Sequence, residues 1–161
     1  MPARWVGRGK PLGPTRGVRG ATSGDCAVPP PPEVLAMVLC DLVITDAETN
    51  KKSLIGLCDR VETTTLPCVV HELHVYLCLT DGRGTLPVAI ACITAEGEEL
   101  FRGQAEIRFA DPLQVVELHF VFPGARFPRA GQYRFQLLAD GLLLRERTFC
   151  VACLRDEGQP C

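Results

Sequence analysis

Nine cysteines and three histidines are the side chains of this 161-residue chain with the most to offer chemically. Seven of the cysteines fall in or beside segments that read as strands: Cys40, Cys58, Cys68, Cys78, Cys92, Cys150 and Cys153. Cys40 shares its parity with Val38, Leu42 and Ile44, and Cys92 with Val88 and Ile90, which is cysteine used as a small hydrophobe. An odd count without an export signal argues against a disulfide framework. Cys150-Val151-Ala152-Cys153 has the C-x-x-C spacing of zinc and redox sites. In an extended strand, residues three apart point to opposite faces, so the two sulfurs cannot meet one metal unless the chain turns there.

The histidines are His71, His74 and His119. His71-Glu72-Leu73-His74 is one residue short of the H-E-x-x-H zinc-protease motif, and on a strand its two rings diverge. His119 falls on the polar side of its segment, and all three read as solvated or hydrogen-bonded histidines. No G-x-S-x-G, Walker loop or dinucleotide fingerprint is present. A Cys–His nucleophile pair is assembled in space, and nothing in the sequence selects one.

These residues are positioned by segments with a period of two. In 98–109, Phe101, Gly103, Ala105, Ile107 and Phe109 fall on one face and Arg102, Gln104, Glu106 and Arg108 on the other. Val116, Leu118, Phe120 and Phe122 alternate in the same way within 113–122, as do Tyr133, Phe135, Leu137 and Ala139 within 132–139. Such alternation marks half-buried strands of antiparallel sheets. The turn signals are Asp81-Gly82-Arg83-Gly84, Glu96-Gly97 and Asp140-Gly141. Eight strands are expected: 34–46, 52–61, 69–80, 85–95, 98–109, 113–122, 131–140 and 142–153, with a bulge near Arg145 where the phase is lost. No window carries a helical stripe, and many short strands without helices make a sandwich or a barrel. Gly131-Gln132-Tyr133 favours the sandwich, because immunoglobulin-like folds place a tyrosine there to cap a nearby backbone. The connection 123–130 is expected to cross between sheets.

Strict alternation of strand direction would gather the turns holding Asp46, Asp81, Asp111 and Asp140 at one pole. Loop carboxylates so gathered are how such folds build calcium sites, although aspartate is also an ordinary turn residue.

The chain is uneven. Residues 1–32 hold 7 of the 13 prolines and 6 of the 15 glycines, with charge +4, against −6 for the remainder. So little apolar content cannot offset the entropy of ordering, so 1–33 is expected to be a disordered arm, 34–154 the sandwich and 155–161 a flexible tail. The arm has no continuous apolar core of the kind a secretory signal needs, and its scattered charges give no nucleic-acid or membrane footprint. Met37, at the start of the first strand pattern, is an alternative point of initiation.

The run Cys40-Asp41-Leu42-Val43-Ile44-Thr45-Asp46, then Lys52-Ser53-Leu54-Ile55-Gly56-Leu57-Cys58-Asp59-Arg60, resembles the opening of a family of small uncharacterised bacterial proteins. The closing Gly131-Gln132-Tyr133-Arg134-Phe135, with Asp140-Gly141 and Glu146-Arg147, is similar to the family's end. The family is a domain of unknown function with an immunoglobulin-like sandwich, and the resemblance covers roughly 37–152. It implies a bacterial, cytoplasmic protein and assigns no catalytic residue. The expected function is a non-catalytic binding or scaffolding module holding another protein, without cofactor, nucleic acid or membrane. The second reading is a calcium- or ligand-dependent module using Asp46, Asp81, Asp111 and Asp140, and the third an enzyme with a cysteine nucleophile.

Overall fold

The structure, a computed structural model, describes residues 30–154. The expected tail at 155–161 and the expected arm, apart from residues 30–33, lie outside the described residues. Among the described residues nine strands follow one another: β1 (Glu33–Thr45), β2 (Lys52–Leu57), β3 (Arg60–Thr63), β4 (Cys68–Thr80), β5 (Gly84–Thr94), β6 (Glu99–Phe109), β7 (Val116–Phe127), β8 (Gly131–Ala139) and β9 (Leu142–Cys153).

Two expectations are corrected here. The segment 52–61 is two strands, because the chain leaves one sheet at Leu57 and enters the other at Arg60. β7 runs on through Pro123 and Gly124 to Phe127, so the crossing between sheets takes only residues 128–130. β7 lies at the edge of its sheet, where a residue lacking an N–H is tolerated.

One sheet has the order β2-β1-β4-β7 and the other β3-β9-β8-β5-β6. All pairings are antiparallel except β3 with β9, where Arg60 lies beside Cys150 and Thr63 beside Cys153. β4 and β7 pair in one sheet while β5, β8 and β9 pair in the other, which are the places of the B and E and of the C, F and G strands of an immunoglobulin-like sandwich. The tyrosine corner is also present. Tyr133 Oη donates to the Arg129 carbonyl at 2.7 Å and accepts from the Arg129 N–H at 3.2 Å.

Alternation decides the core. The inward residues of β6, β7 and β8 are those the period-two reading selects. Phe127, Phe135 and Phe149 are buried between the sheets, each contributing about 1.5–3 kcal/mol by leaving water. Their rings meet at 5.3 Å (Phe127 and Phe149) and 5.7 Å (Phe135 and Phe149), within the range of favourable aromatic pairing. Gly103 faces inward too; a Cβ there would lie 2.6 Å from Phe120 Cδ1, so glycine makes room for that ring. The bulge expected near Arg145 falls at Leu144, between the pairs Leu137 with Arg145 and Leu138 with Leu143. Beyond it, Arg145 and Arg147 reach across to the other sheet and donate to the carbonyls of Val34 (3.2 Å) and Met37 (3.0 Å). These guanidinium groups satisfy the free edge of β1 and close that side of the sandwich.

Candidate functional site

β1 begins as an edge strand of the sandwich and ends as an arm. From Glu33 to Cys40 it pairs with β4, and from Cys40 to Thr45 with β2. In a flat sheet, Lys52 and Glu117 would stand nine residues apart along the strands, about 30 Å at 3.3 Å per residue. Yet Lys52 Nζ lies 3.1 Å from Glu117 Oε2. The β1–β2 hairpin therefore bends out of its sheet and folds back across the outer face. The bend falls where Asp41 opposes Gly56, whose φ is 67° and whose Cβ position is taken by the Asp41 carboxylate. Only glycine suits both conditions.

The bend overturns one expected grouping. Cys40 does not share a buried face with Leu42 and Ile44; Val43 takes that place. Cys40, Val43 and Tyr76 form a second apolar cluster, joined by Ala36, Val38, Leu54 and Cys78. Leu42, Ile44 and Ile55 are turned to solvent, with exposures of 39%, 45% and 48%. Leu42 is paired directly with Ile55, so they form one aliphatic ridge, with the exposed Leu57 beside it at the bend.

The arm is fastened by a polar chain. Tyr76 Oη donates to one oxygen of Glu117 while Lys52 Nζ donates to the other. The Tyr76 hydrogen bond and the Lys52 ammonium hold the Glu117 carboxyl below its ordinary range against the opposing effect of burial. Burial and the adjoining carboxylate push the Tyr76 hydroxyl well above its own. His119, next along β7, is held below its ordinary range by burial, His74 and Lys52. Its ring stacks on His74 with centroids 5.8 Å apart. His74 is buried, with Nε2 at 3.5 Å from Glu72 and Nδ1 without a hydrogen-bond partner among the described residues. His71 is exposed and His74 is buried with Nε2 bonded to Glu72, the solvated and the hydrogen-bonded forms of the expected reading.

The remaining sequence candidates do not converge. Asp81 lies at the start of β1, because β1 and β4 are antiparallel, whereas Asp46 follows its end and rides on the tip of the arm. Asp81, Asp111 and Asp140 do share an end of the sandwich: Asp81 N–H donates to the Pro112 carbonyl and Asp140 N–H to that of Pro87, both at 2.9 Å. The four-carboxylate pole is therefore a pole of three. Their side chains do turn chemistry: Asp46 Oδ1 accepts from the N–H groups of Glu48 (3.0 Å) and Thr49 (2.7 Å), and Asp111 Oδ1 from that of Leu113 (2.7 Å). Asp81 and Asp140 hold the positive φ values, 59° and 47°, that their hairpins need. Among the described residues no three or more His, Cys, Asp or Glu side chains are placed to hold a metal ion. Cys150 and Cys153 sit on one continuous strand, three residues apart, and so face opposite ways.

Four of the thiols are poorly disposed as nucleophiles. Burial pushes Cys92 up to about 12 and, with Asp41 beside it, Cys58 up to about 11; it raises Cys40 and Cys78 as well. On the outer face of the second sheet a shallow furrow of about 360 Å³ runs between Pro87, Ala89, Arg102, Gln104, Leu138 and Gly141. Arg102 alone among these six can carry charge, which leaves the furrow without an acid–base pair.

Among solved structures, an immunoglobulin-like protein from Pseudomonas aeruginosa is similar to the chain at 12% identity, covering 78% of this chain and 99% of that one with a TM-score of 0.34. The fold assignment accordingly stands on the strand order and the tyrosine corner. No curated protein matches. A model described as a family of unknown function (DUF6941) matches residues 35–152, from the third residue of β1 to the penultimate residue of β9, and the chain belongs to that family.

Proposed function

We propose that this domain is a non-catalytic protein-binding module and that the folded-back arm presents its binding surface. The observation behind this is the ridge of Leu42, Ile44 and Ile55, three aliphatic side chains held in water on a hairpin whose opposite side is packed and latched. A two-stranded ribbon is marginal by itself, and this one is ordered by Val43, Leu54 and the Lys52–Glu117–Tyr76 chain beneath it. Ordering the arm in advance lowers the entropic cost of binding, and exposed aliphatic clusters rimmed by polar residues mark interaction sites. The raised thiols support the non-catalytic part of the reading, since a nucleophilic cysteine needs a depressed value. The occupant is another protein, met in the cytoplasm of a bacterial cell as the resemblance implies.

The test is affinity capture from the native host with wild-type domain, with Leu42→Ser/Ile44→Ser, and with Gln104→Ala on the opposite sheet as a control. A protein retained by wild type and control, and lost from the double variant, is the expected outcome. Equal retention by all three would remove the arm from the binding surface.

A further inference from the structure

Carboxylates border the ridge of Leu42, Ile44 and Ile55. Along β1, Asp41 precedes Leu42 and Asp46 follows Thr45, with Glu48 in the turn beyond; all three are exposed. Lys52 is taken up by Glu117, which leaves Lys51 against three acids on the hairpin. A surface that is aliphatic between acidic ends fits a segment that is apolar between basic ends.

The chain carries such a segment. Residues 4–8 read Arg4-Trp5-Val6-Gly7-Arg8, within a stretch of charge +4 joined to a remainder of −6. The entry point is also suitable. Pro32 is buried, β1 starts at Glu33, and Ala36 already packs in the cluster beneath the arm. The 24 residues 9–32 join Arg8 to Glu33. A tether of that length has a root-mean-square span of roughly 25–30 Å. The path from Glu33 to the base of the arm at Cys40 is about 23 Å, at 3.3 Å per residue.

We propose that Arg4–Arg8 folds back over the ridge of its own chain and that a bound protein must displace it. Trp5 and Val6 lie on Leu42, Ile44 and Ile55, while Arg4 and Arg8 reach the carboxylates at the two ends. This rests on the preceding reading for the role of the ridge and adds its regulation. So small a contact holds because it is tethered. At an effective concentration in the millimolar range, a contact of about 0.1 mM is closed about nine-tenths of the time. A protein that needs the open ridge then binds about tenfold more weakly than it would without the cover.

Trp5 is the one tryptophan of the chain, so tryptophan fluorescence of the full chain reports this segment directly. Wild type is expected to emit at shorter wavelength than a peptide of residues 1–20 and to be quenched several-fold less by acrylamide, at every protein concentration. Arg4→Glu/Arg8→Glu leaves the sandwich untouched and should return Trp5 to the behaviour of the peptide. Leu42→Ser/Ile44→Ser, with a thermal melt to verify folding, should do the same. Wild-type emission and quenching equal to the peptide's would overturn the inference. So would a shielded Trp5 indifferent to Leu42→Ser/Ile44→Ser, or shielding lost on dilution, which would place the segment on a second copy. Capture of a partner protein is read separately. If Trp5 is solvated and capture still depends on Leu42 and Ile44, the cover fails and the binding surface stands. If the ridge shields Trp5 and capture ignores Leu42 and Ile44, the cover stands and the binding surface fails. If both hold, Arg4→Glu/Arg8→Glu binds the captured protein about tenfold more tightly than wild type.

Discussion

Changing Tyr76 to Phe should loosen the arm without unfolding the sandwich. Phenylalanine fills the same place in the Cys40, Val43 and Tyr76 cluster, so the change removes one hydroxyl and little packing. That hydroxyl donates to a carboxylate, and hydrogen bonds to charged groups are worth about 1.5–3 kcal/mol. Here the lower end applies. Glu117 keeps Lys52 at 3.1 Å, and its side chain is 38% exposed, so water replaces part of what is lost. A loss of about 1.5 kcal/mol corresponds to roughly tenfold in a local opening equilibrium.

The arm crosses the outer face and makes no part of the main core, which predicts where that loss appears. Amide exchange in 42–57 should quicken about tenfold while β5, β8 and β9 keep their protection. If the arm and the sandwich instead unfold as one unit, the same energy lowers Tm by about 5 °C. Lys52→Met removes the other contact with Glu117 and should cost less, about 0.5–1 kcal/mol, as a partly exposed ion pair does. Because both contacts end on one carboxylate, Tyr76→Phe and Lys52→Met should be non-additive by about 0.5 kcal/mol or more. Unchanged exchange across 42–57 in Tyr76→Phe, together with additive energies in the double variant, would refute the latch.

Acidification should act on the same arm. Glu117 lies below its ordinary 4.5, chiefly through the Tyr76 hydrogen bond, and His119 below its ordinary 6.5, chiefly through burial. In both cases the folded form binds fewer protons than the unfolded chain. Their stabilisation is therefore complete above about pH 6.5 and erodes below it, first through His119 and then, under pH 4.5, through Glu117. Protection factors in 42–57, corrected for the intrinsic pH dependence of amide exchange, should fall monotonically from pH 7 to pH 4; a rise would contradict the assignment. Cys40, Cys58, Cys78 and Cys92 should react with a thiol reagent only after denaturation, whereas prompt modification of Cys92 in the native protein would show that it is not the closed core thiol described. Millimolar calcium should leave Tm unchanged, because Asp46 is carried away from Asp81, Asp111 and Asp140; a calcium-specific rise abolished by Asp81→Asn/Asp140→Asn would restore the acidic pole as a site.

The sandwich was legible in the sequence, and the arm was not, for one physical reason. Where a strand has a buried side and a wet side, parity separates them, so the inward sets Phe101 to Phe109, Val116 to Phe122 and Tyr133 to Ala139 could be read directly. From Leu42 to Ile44 and from Leu54 to Ile55 both parities are aliphatic, and alternation has nothing to choose between. The bend itself depends on Asp41 standing opposite Gly56, a fact of hairpin register visible only after pairing. Sheet order misled in a similar way at Pro123-Gly124, which punctuates a central strand but only marks an edge one. The contact of His74 with His119 and the sharing of Glu117 by Tyr76 and Lys52 join residues distant in sequence through the β4–β7 register and the fold of the arm. Aliphatic residues on both faces of a hairpin nevertheless have a consequence. One face alone can pack on the parent sheet, so the other must meet water or another molecule, and a stretch such as Leu42 to Ile44 opposite Leu54 to Ile55 already asks for a second surface.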